Sequence, residues 1–222
     1  MATTWGAVKE EFRDAFRDGT QNFISDVELL RMLRRVLRLI DNPEAYTFQQ
    51  VEYSLQLSGA TQYDLDTLIP GWKRIFTITN SLGVNIGLPL ELEFVDMKDF
   101  QMNIDRYAYS IYQNRYLRVY SPTASPLSGT LNVLYYSTYL VRDASTGAFK
   151  AIPAVDSDYF ILPERWMDVI VEGLLWMAFR KDRSNREDAA DAKSAFNTRL
   201  NELITQETIQ VQSPNRSMSG AF

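Results

Sequence analysis

Two residue types that carry much of enzyme chemistry are missing: the 222-residue chain has no histidine and no cysteine. Imidazole bases, thiolate nucleophiles, disulfides and every zinc site built on His or Cys are thereby excluded. There is also no GxxxxGKS/T phosphate loop, no GxGxxG and no GxSxG elbow, so the usual signatures of nucleotide and serine hydrolases are absent. No apolar run approaches the roughly 20 residues of a membrane helix. Met1 to Phe12 lacks the basic start and apolar stretch of a signal peptide, and no membrane contact is expected. Basic residues are outnumbered, 23 Lys and Arg against 28 Asp and Glu, for a net charge of −5. That balance argues against a surface that binds nucleic acid throughout and leaves room for a local basic patch.

What the chain has is patterned apolar sequence, 45% hydrophobic and 13% aromatic, ample for a packed core. Trp5, Val8, Phe12 and Phe16 recur at spacings of three and four, which predicts a helix with one apolar face that stops at Asp18-Gly19. Ser25 followed by Glu28 is a capping box, in which hydroxyl and carboxylate each satisfy an otherwise unpaired amide. A second helix should run from there to about Asp41, ended by Asn42-Pro43. On a helical wheel Leu29, Leu30, Leu33, Val36, Leu37 and Ile40 share one side. Arg31, Arg34, Arg35 and Arg38 fall within an arc of roughly 100° on the other side.

From Tyr46 to about Ala151 the period becomes two and β-branched and aromatic residues dominate, as in Tyr46-Thr47-Phe48, Trp72 to Ile78 and Leu90 to Val95. Tyr107 to Tyr112 and Arg115 to Tyr120 flank Gln113-Asn114 and read as a hairpin; Thr130 to Leu140 reads as a longer strand. A short helical piece is expected at Asp96 to Met102 and a turn or exposed loop at Asp143 to Gly147. The helical period returns after Pro163. Trp166, Val169, Ile170, Leu174, Leu175, Met177, Ala178 and Phe179 predict a helix apolar around much of its circumference. Ser184 with Glu187 makes a second capping box, and Ala192, Phe196, Leu200 and Leu203 mark an amphipathic last helix. Beyond Thr208 the chain is rich in Gln, Ser, Pro and Asn, the composition of a free tail ordered by a partner.

The expected fold is therefore α+β: a four-helix bundle formed by N-terminal (1–45) and C-terminal (161–206) helix pairs, an inserted antiparallel β subdomain (46–160) and a flexible C-terminal tail (207–222). Without histidine, paired carboxylates are the catalytic arrangement that survives, and Asp64/Asp66, Glu91/Glu93 and Asp156/Asp158 stand at i and i+2. On a strand that spacing puts both on one face, where they could hold a hard cation; such pairs are more commonly a solvated face or turn residues. Tyr107, Tyr109, Tyr112, Tyr116, Tyr120, Tyr135, Tyr136 and Tyr139 crowd the insert. They suit cross-strand and interface contacts or, alternatively, the sugar- or base-stacking surface of a carbohydrate-binding module or a single-strand binder. The arginine stripe has three readings: DNA or phosphate contact, acids of a neighbouring subunit, or a solvated face. No catalytic, metal or cofactor residue is assigned, and the protein is not expected to be an enzyme.

One resemblance spans roughly Thr3 to Gln206. It rests on the order of the Thr4-Trp5 helix, the capped second helix, and the strand from Gly71-Trp72-Lys73-Arg74 to Ile78. Next come Leu90-Glu91-Leu92-Glu93-Phe94-Val95 leading into Met97-Lys98-Asp99-Phe100, then Tyr116 to Pro122, Gly129 to Tyr136, and Leu162-Pro163 opening a long apolar helix. In this order the chain resembles the head-to-tail adaptor (connector or neck) proteins of tailed bacteriophages. The resemblance implies a non-enzymatic virion component made in the host cytoplasm. It would form a homo-oligomeric, 12-mer ring under the portal protein, dock the tail or nozzle protein and pass genomic DNA through its channel. Arg31, Arg34, Arg35 and Arg38 would then face that channel or a neighbouring subunit, and Gln210, Gln212, Pro214, Asn215, Arg216 and Phe222 would belong to a portal-docking tail.

Overall fold

The computed structural model describes residues 2–16, 23–41, 46–60, 62–80, 90–95, 107–120, 129–181 and 186–212. The chain opens with α1 (Trp5–Phe16) and α2 (Asp26–Ile40), followed by a single 3-10 turn at Thr47–Gln49. Next come β1 (Gln50–Leu57), β2 (Tyr63–Asp64), the one-turn α3 (Leu65–Leu68), β3 (Trp72–Asn80), β4 (Leu90–Phe94), β5 (Ala108–Tyr112), β6 (Tyr116–Tyr120) and β7 (Gly129–Ser137). Three two-residue strands follow, β8 (Val141–Arg142), β9 (Phe149–Lys150) and β10 (Tyr159–Phe160), then a 3-10 turn at Glu164–Trp166, α4 (Met167–Lys181) and α5 (Arg186–Gln212).

Two compact units result. Residues 50–138 form one, and residues 1–49 with 139–222 form the other. The residues 139–160, grouped with the insert by periodicity, thus fall in the helical unit.

The expected four-helix bundle with an inserted antiparallel subdomain is not what forms. In the helical unit α4 is the hub: α1, α2 and α5 each pack against it. Its Val169, Ile170, Val171, Leu174 and Ala178 are all buried. The core of this unit is shared with strand residues, because Leu140, Val141, Phe160 and Leu162 join Phe12, Leu33, Val36 and Trp166 in one apolar cluster. These belong to or flank the three-stranded sheet, ordered β10-β8-β9. Helices and a small sheet together bury what a closed bundle would have buried alone. At Gly173 the packing is at its tightest. A Cβ there would lie 2.8 and 2.9 Å from the two methyl carbons of Val36 on α2 and 3.1 Å from Phe196 on α5.

The other unit is a seven-stranded sheet ordered β1-β7-β3-β4-β5-β6-β2. It is mixed: β4 and β5 pair in parallel while the other pairs are antiparallel. Its own core comprises Leu55, Ile75, Ile78, Leu92, Leu117, Leu131, Val133 and Tyr135 among others. The hairpin between β5 and β6 turns where the sequence places it. Gln113 and Asn114 both adopt positive φ, 53° and 51°, as the centre of a twist-matching turn requires, and the Arg115 amide donates to the Tyr112 carbonyl at 3.1 Å before Tyr116 pairs with Tyr112.

Several local expectations shift. Tyr46-Thr47-Phe48 enters the 3-10 turn rather than a strand, and Tyr46 and Phe48 pack on Trp166 at centroid distances of 5.0 and 5.4 Å. The last helix runs on to Gln212, past the Gln206 boundary read from composition. Asp18-Gly19, Asp96 to Met102 and Ser184 lie outside the described residues.

Candidate functional site

Among the described residues no group of three or more metal-capable side chains converges. Each carboxylate pair that the structure describes is occupied in holding the fold. Asp64 accepts from Arg115 at 3.0 and 2.5 Å and caps α3 through the Asp66 amide at 3.1 Å. The guanidinium of Arg115 holds the Asp64 carboxyl down to about 2. Asp66 accepts from the Trp72 indole at 2.8 Å. Asp158 is fully buried and accepts four hydrogen bonds, from the amides of Ala144 (3.2 Å), Ala154 (2.6 Å) and Val155 (3.2 Å) and from Lys150 Nζ (3.0 Å). Burial pushes its pKa up, but these donors outweigh burial and the net shift is downward. Its neighbour Asp156 pairs with Lys9. The backbone carbonyls of Asp156 and Asp158 receive the amides of Gly6 (2.9 Å) and Trp5 (2.8 Å), so the 143–158 loop is stitched to the start of α1. Glu93 is exposed, and the side chain of Glu91 lies outside the described residues.

The tyrosines do not form one exposed ladder. Tyr109, Tyr135 and Tyr136 are buried, and of the eight only Tyr112 is exposed. Tyr135 joins the sheet's core, while Tyr136 lies beneath the Arg74 guanidinium at 5.0 Å and takes a hydrogen bond from Gln50 at 2.9 Å.

What stays open is the surface of α2. The capping box forms as read: the Ser25 hydroxyl accepts from the Glu28 amide at 3.3 Å, and the Ser25 amide donates to the Glu28 carboxylate at 3.4 Å. Lys181, at the end of α4, donates to both Glu28 oxygens at 2.9 Å and so fixes the start of α2 against α4. The Lys181 ammonium, with the Ser25 amide, holds the Glu28 carboxyl below its ordinary range. Leu29, Leu33, Val36, Leu37 and Ile40 are buried as expected, and Leu30 is half-buried.

Arg31, Arg34, Arg35 and Arg38 consequently all point outward and are exposed, with no ion pair or hydrogen bond among the described residues. They stand three and four residues apart, where each unscreened like-charge pair costs a helix about 0.2–0.5 kcal/mol. Val27 and Leu39, 59% and 48% exposed, bracket them. Beside Arg35 a groove of about 260 Å³ opens between α2 and α4, lined by Met32, Met177, Arg180 and Lys181. The sequence located this stripe but gave no sign of the groove, which depends on how two helices lie together.

The backbone at Gln210 and Gln212 is helical, the last turn of α5, whereas Pro214, Asn215, Arg216 and Phe222 lie outside the described residues. No described helix is long and apolar enough to cross a membrane.

No curated protein matches the sequence. A family model, that of the SU10 adaptor protein, does, and it extends from residue 3 to residue 218, over both the helical unit and the sheet. With a match of that extent, the chain belongs to the SU10 adaptor protein family, structural adaptors of the bacteriophage virion.

Proposed function

We propose that this protein is a head-to-tail adaptor that forms a dodecameric ring beneath the portal, extends the DNA channel towards the tail and offers the docking surface for a tail or nozzle protein. The observation that carries this reading is the family match over residues 3–218. Two features of the molecule support it. Four exposed arginines on α2 lack a counter-charge within the described residues, as expected of a surface that meets an anionic neighbour. A polar C-terminal segment also continues from α5, and Gln210, Gln212, Pro214, Asn215, Arg216 and Phe222 supply the side chains for docking on the portal.

A segment that orders on binding loses entropy, and a preformed portal ring offsets that loss by presenting many sites at once. The isolated protein is therefore monomeric and assembles on the portal. Native mass spectrometry of the protein alone and mixed with portal rings tests this. The expected spectra are monomer alone and a full ring on the portal, with docking lost when the chain is truncated after Gln212, the end of α5. Persistent monomer in the presence of intact portal rings at micromolar concentration would refute the reading.

A further inference from the structure

Internal ion pairs sort the charges of the first two helices. On α1 the two described bases are both consumed: Lys9 reaches Asp26 at 3.6 Å and also pairs with Asp156, and Arg13 contacts Asp26 at 2.7 Å. On α2 the two acids are consumed in the same way, Asp26 by Lys9 and Arg13, and Glu28 by Lys181. What remains outside is charge of one sign on each helix. The exposed face of α1 carries Glu10, Glu11 and Asp14, and that of α2 carries Arg31, Arg34, Arg35 and Arg38, none of them paired among the described residues. On the α1 wheel Glu10, Asp14 and Glu11 span roughly 100° on the side away from Trp5, Val8 and Phe12. The acidic face therefore points outward.

We infer that these are the two halves of one interface: the basic face of α2 in one copy docks on the acidic face of α1 in the next. The inference rests on the ring proposed above and names the surfaces that would close it. Two different surfaces meeting head to tail are what a cyclic ring requires. A second copy of the chain is favoured over DNA as the occupant because Val27 and Leu39 flank the arginines, 59% and 48% exposed. Apolar side chains beside arginine suit the centre and rim of a protein interface and do nothing for a phosphate backbone.

A charge swap tests it. One variant carries Arg31→Glu, Arg34→Glu, Arg35→Glu and Arg38→Glu; the second carries Glu10→Lys, Glu11→Lys and Asp14→Lys; a third combines both sets. Circular dichroism verifies that each folds, and filling of portal rings is read by native mass spectrometry and as a half-saturating concentration. Each single-face variant should need on the order of tenfold more protein to fill the ring. Mixing the two in equal amounts should restore filling, since their faces alternate around the ring, and the combined variant should fill rings by itself. If wild-type protein does not fill portal rings, the adaptor reading itself fails and takes the interface with it. If wild type fills them but both single-face variants do so equally well, the adaptor reading stands and the interface is overturned. The interface is also overturned if only the arginine variant is affected and neither mixing nor combination rescues it. Normal rings that retain less genome in the arginine variant would instead assign the stripe to DNA.

Discussion

Replacing Gly173 by alanine pits two effects of known size against each other at the point where α2, α4 and α5 meet. In an open helix interior alanine is favoured over glycine by about 1 kcal/mol. Here the new methyl would sit 2.8 and 2.9 Å from both methyl carbons of Val36, closer than atoms of this kind approach. Val36 is fully buried and β-branched, so it has no other rotamer to retreat into. Overpacking of this kind costs about 1–3 kcal/mol, so Gly173→Ala should be destabilising by about 1 kcal/mol net, a fall in melting temperature of about 4 °C. The sign should invert when the obstacle is removed. Val36→Ala alone should cost about 2 kcal/mol, and adding Gly173→Ala to it should recover about 1 kcal/mol, as the methyl fills space and the helix gains propensity. Tryptophan fluorescence in urea is the assay, because Trp5, Trp166 and Trp176 belong to the helical unit and only Trp72 to the other. A stabilising Gly173→Ala in the otherwise wild-type chain, or the same effect in both backgrounds, would show that the helices do not meet as described.

Further outcomes follow from the polar contacts. Asp158→Asn replaces one acceptor oxygen by a donor, which must face either the Ala144 amide or the Ala154 and Val155 amides with Lys150, and should cost the helical unit roughly 2 kcal/mol by urea titration. Asp143 and Asp158 have pKa values lowered in the fold, Asp143 chiefly by Lys150 and then Ser145, so their stabilisation is complete above the unfolded carboxylate value of about 4. It is lost as pH falls through the lower folded values; the urea midpoint should drop below pH 4, with a shallower acid dependence in Asp158→Asn. Ser25→Ala removes the cap of α2 and should cost about 1 kcal/mol in the same assay.

The elements that the sequence made legible are those whose signal is local. The α2 cap depends on two residues three apart, and its buried face depends on a period that survives any arrangement of neighbours. The β5–β6 hairpin was readable because Asn114 tolerates positive φ between two alternating runs. The architecture was not readable, because pairing order is not a local property. The parallel partnership of β4 with β5 leaves no trace in either strand's own alternation. Likewise Leu140, Val141, Phe160 and Leu162 look like the end of a β region until the fold lays them into the helical core. At the candidate surface the arginine stripe was visible on a wheel. The acidic face of α1 was not, because Lys9 and Arg13 interrupt it in sequence and only the structure shows where they are spent.

The seven-stranded unit leaves the helical unit at Gln50 and returns by Thr138, and its first and last strands are direct antiparallel neighbours, Gln50 opposite Tyr136. Adjacent strands lie about 5 Å apart, so the helical unit sees a doorway of fixed width whatever the length of chain beyond it. A replacement of any size is compatible with that frame if its two ends leave as a paired ribbon. If copies meet through the helical unit as proposed, residues 50–138 are a cassette that can be exchanged without reshaping the surfaces by which copies would meet.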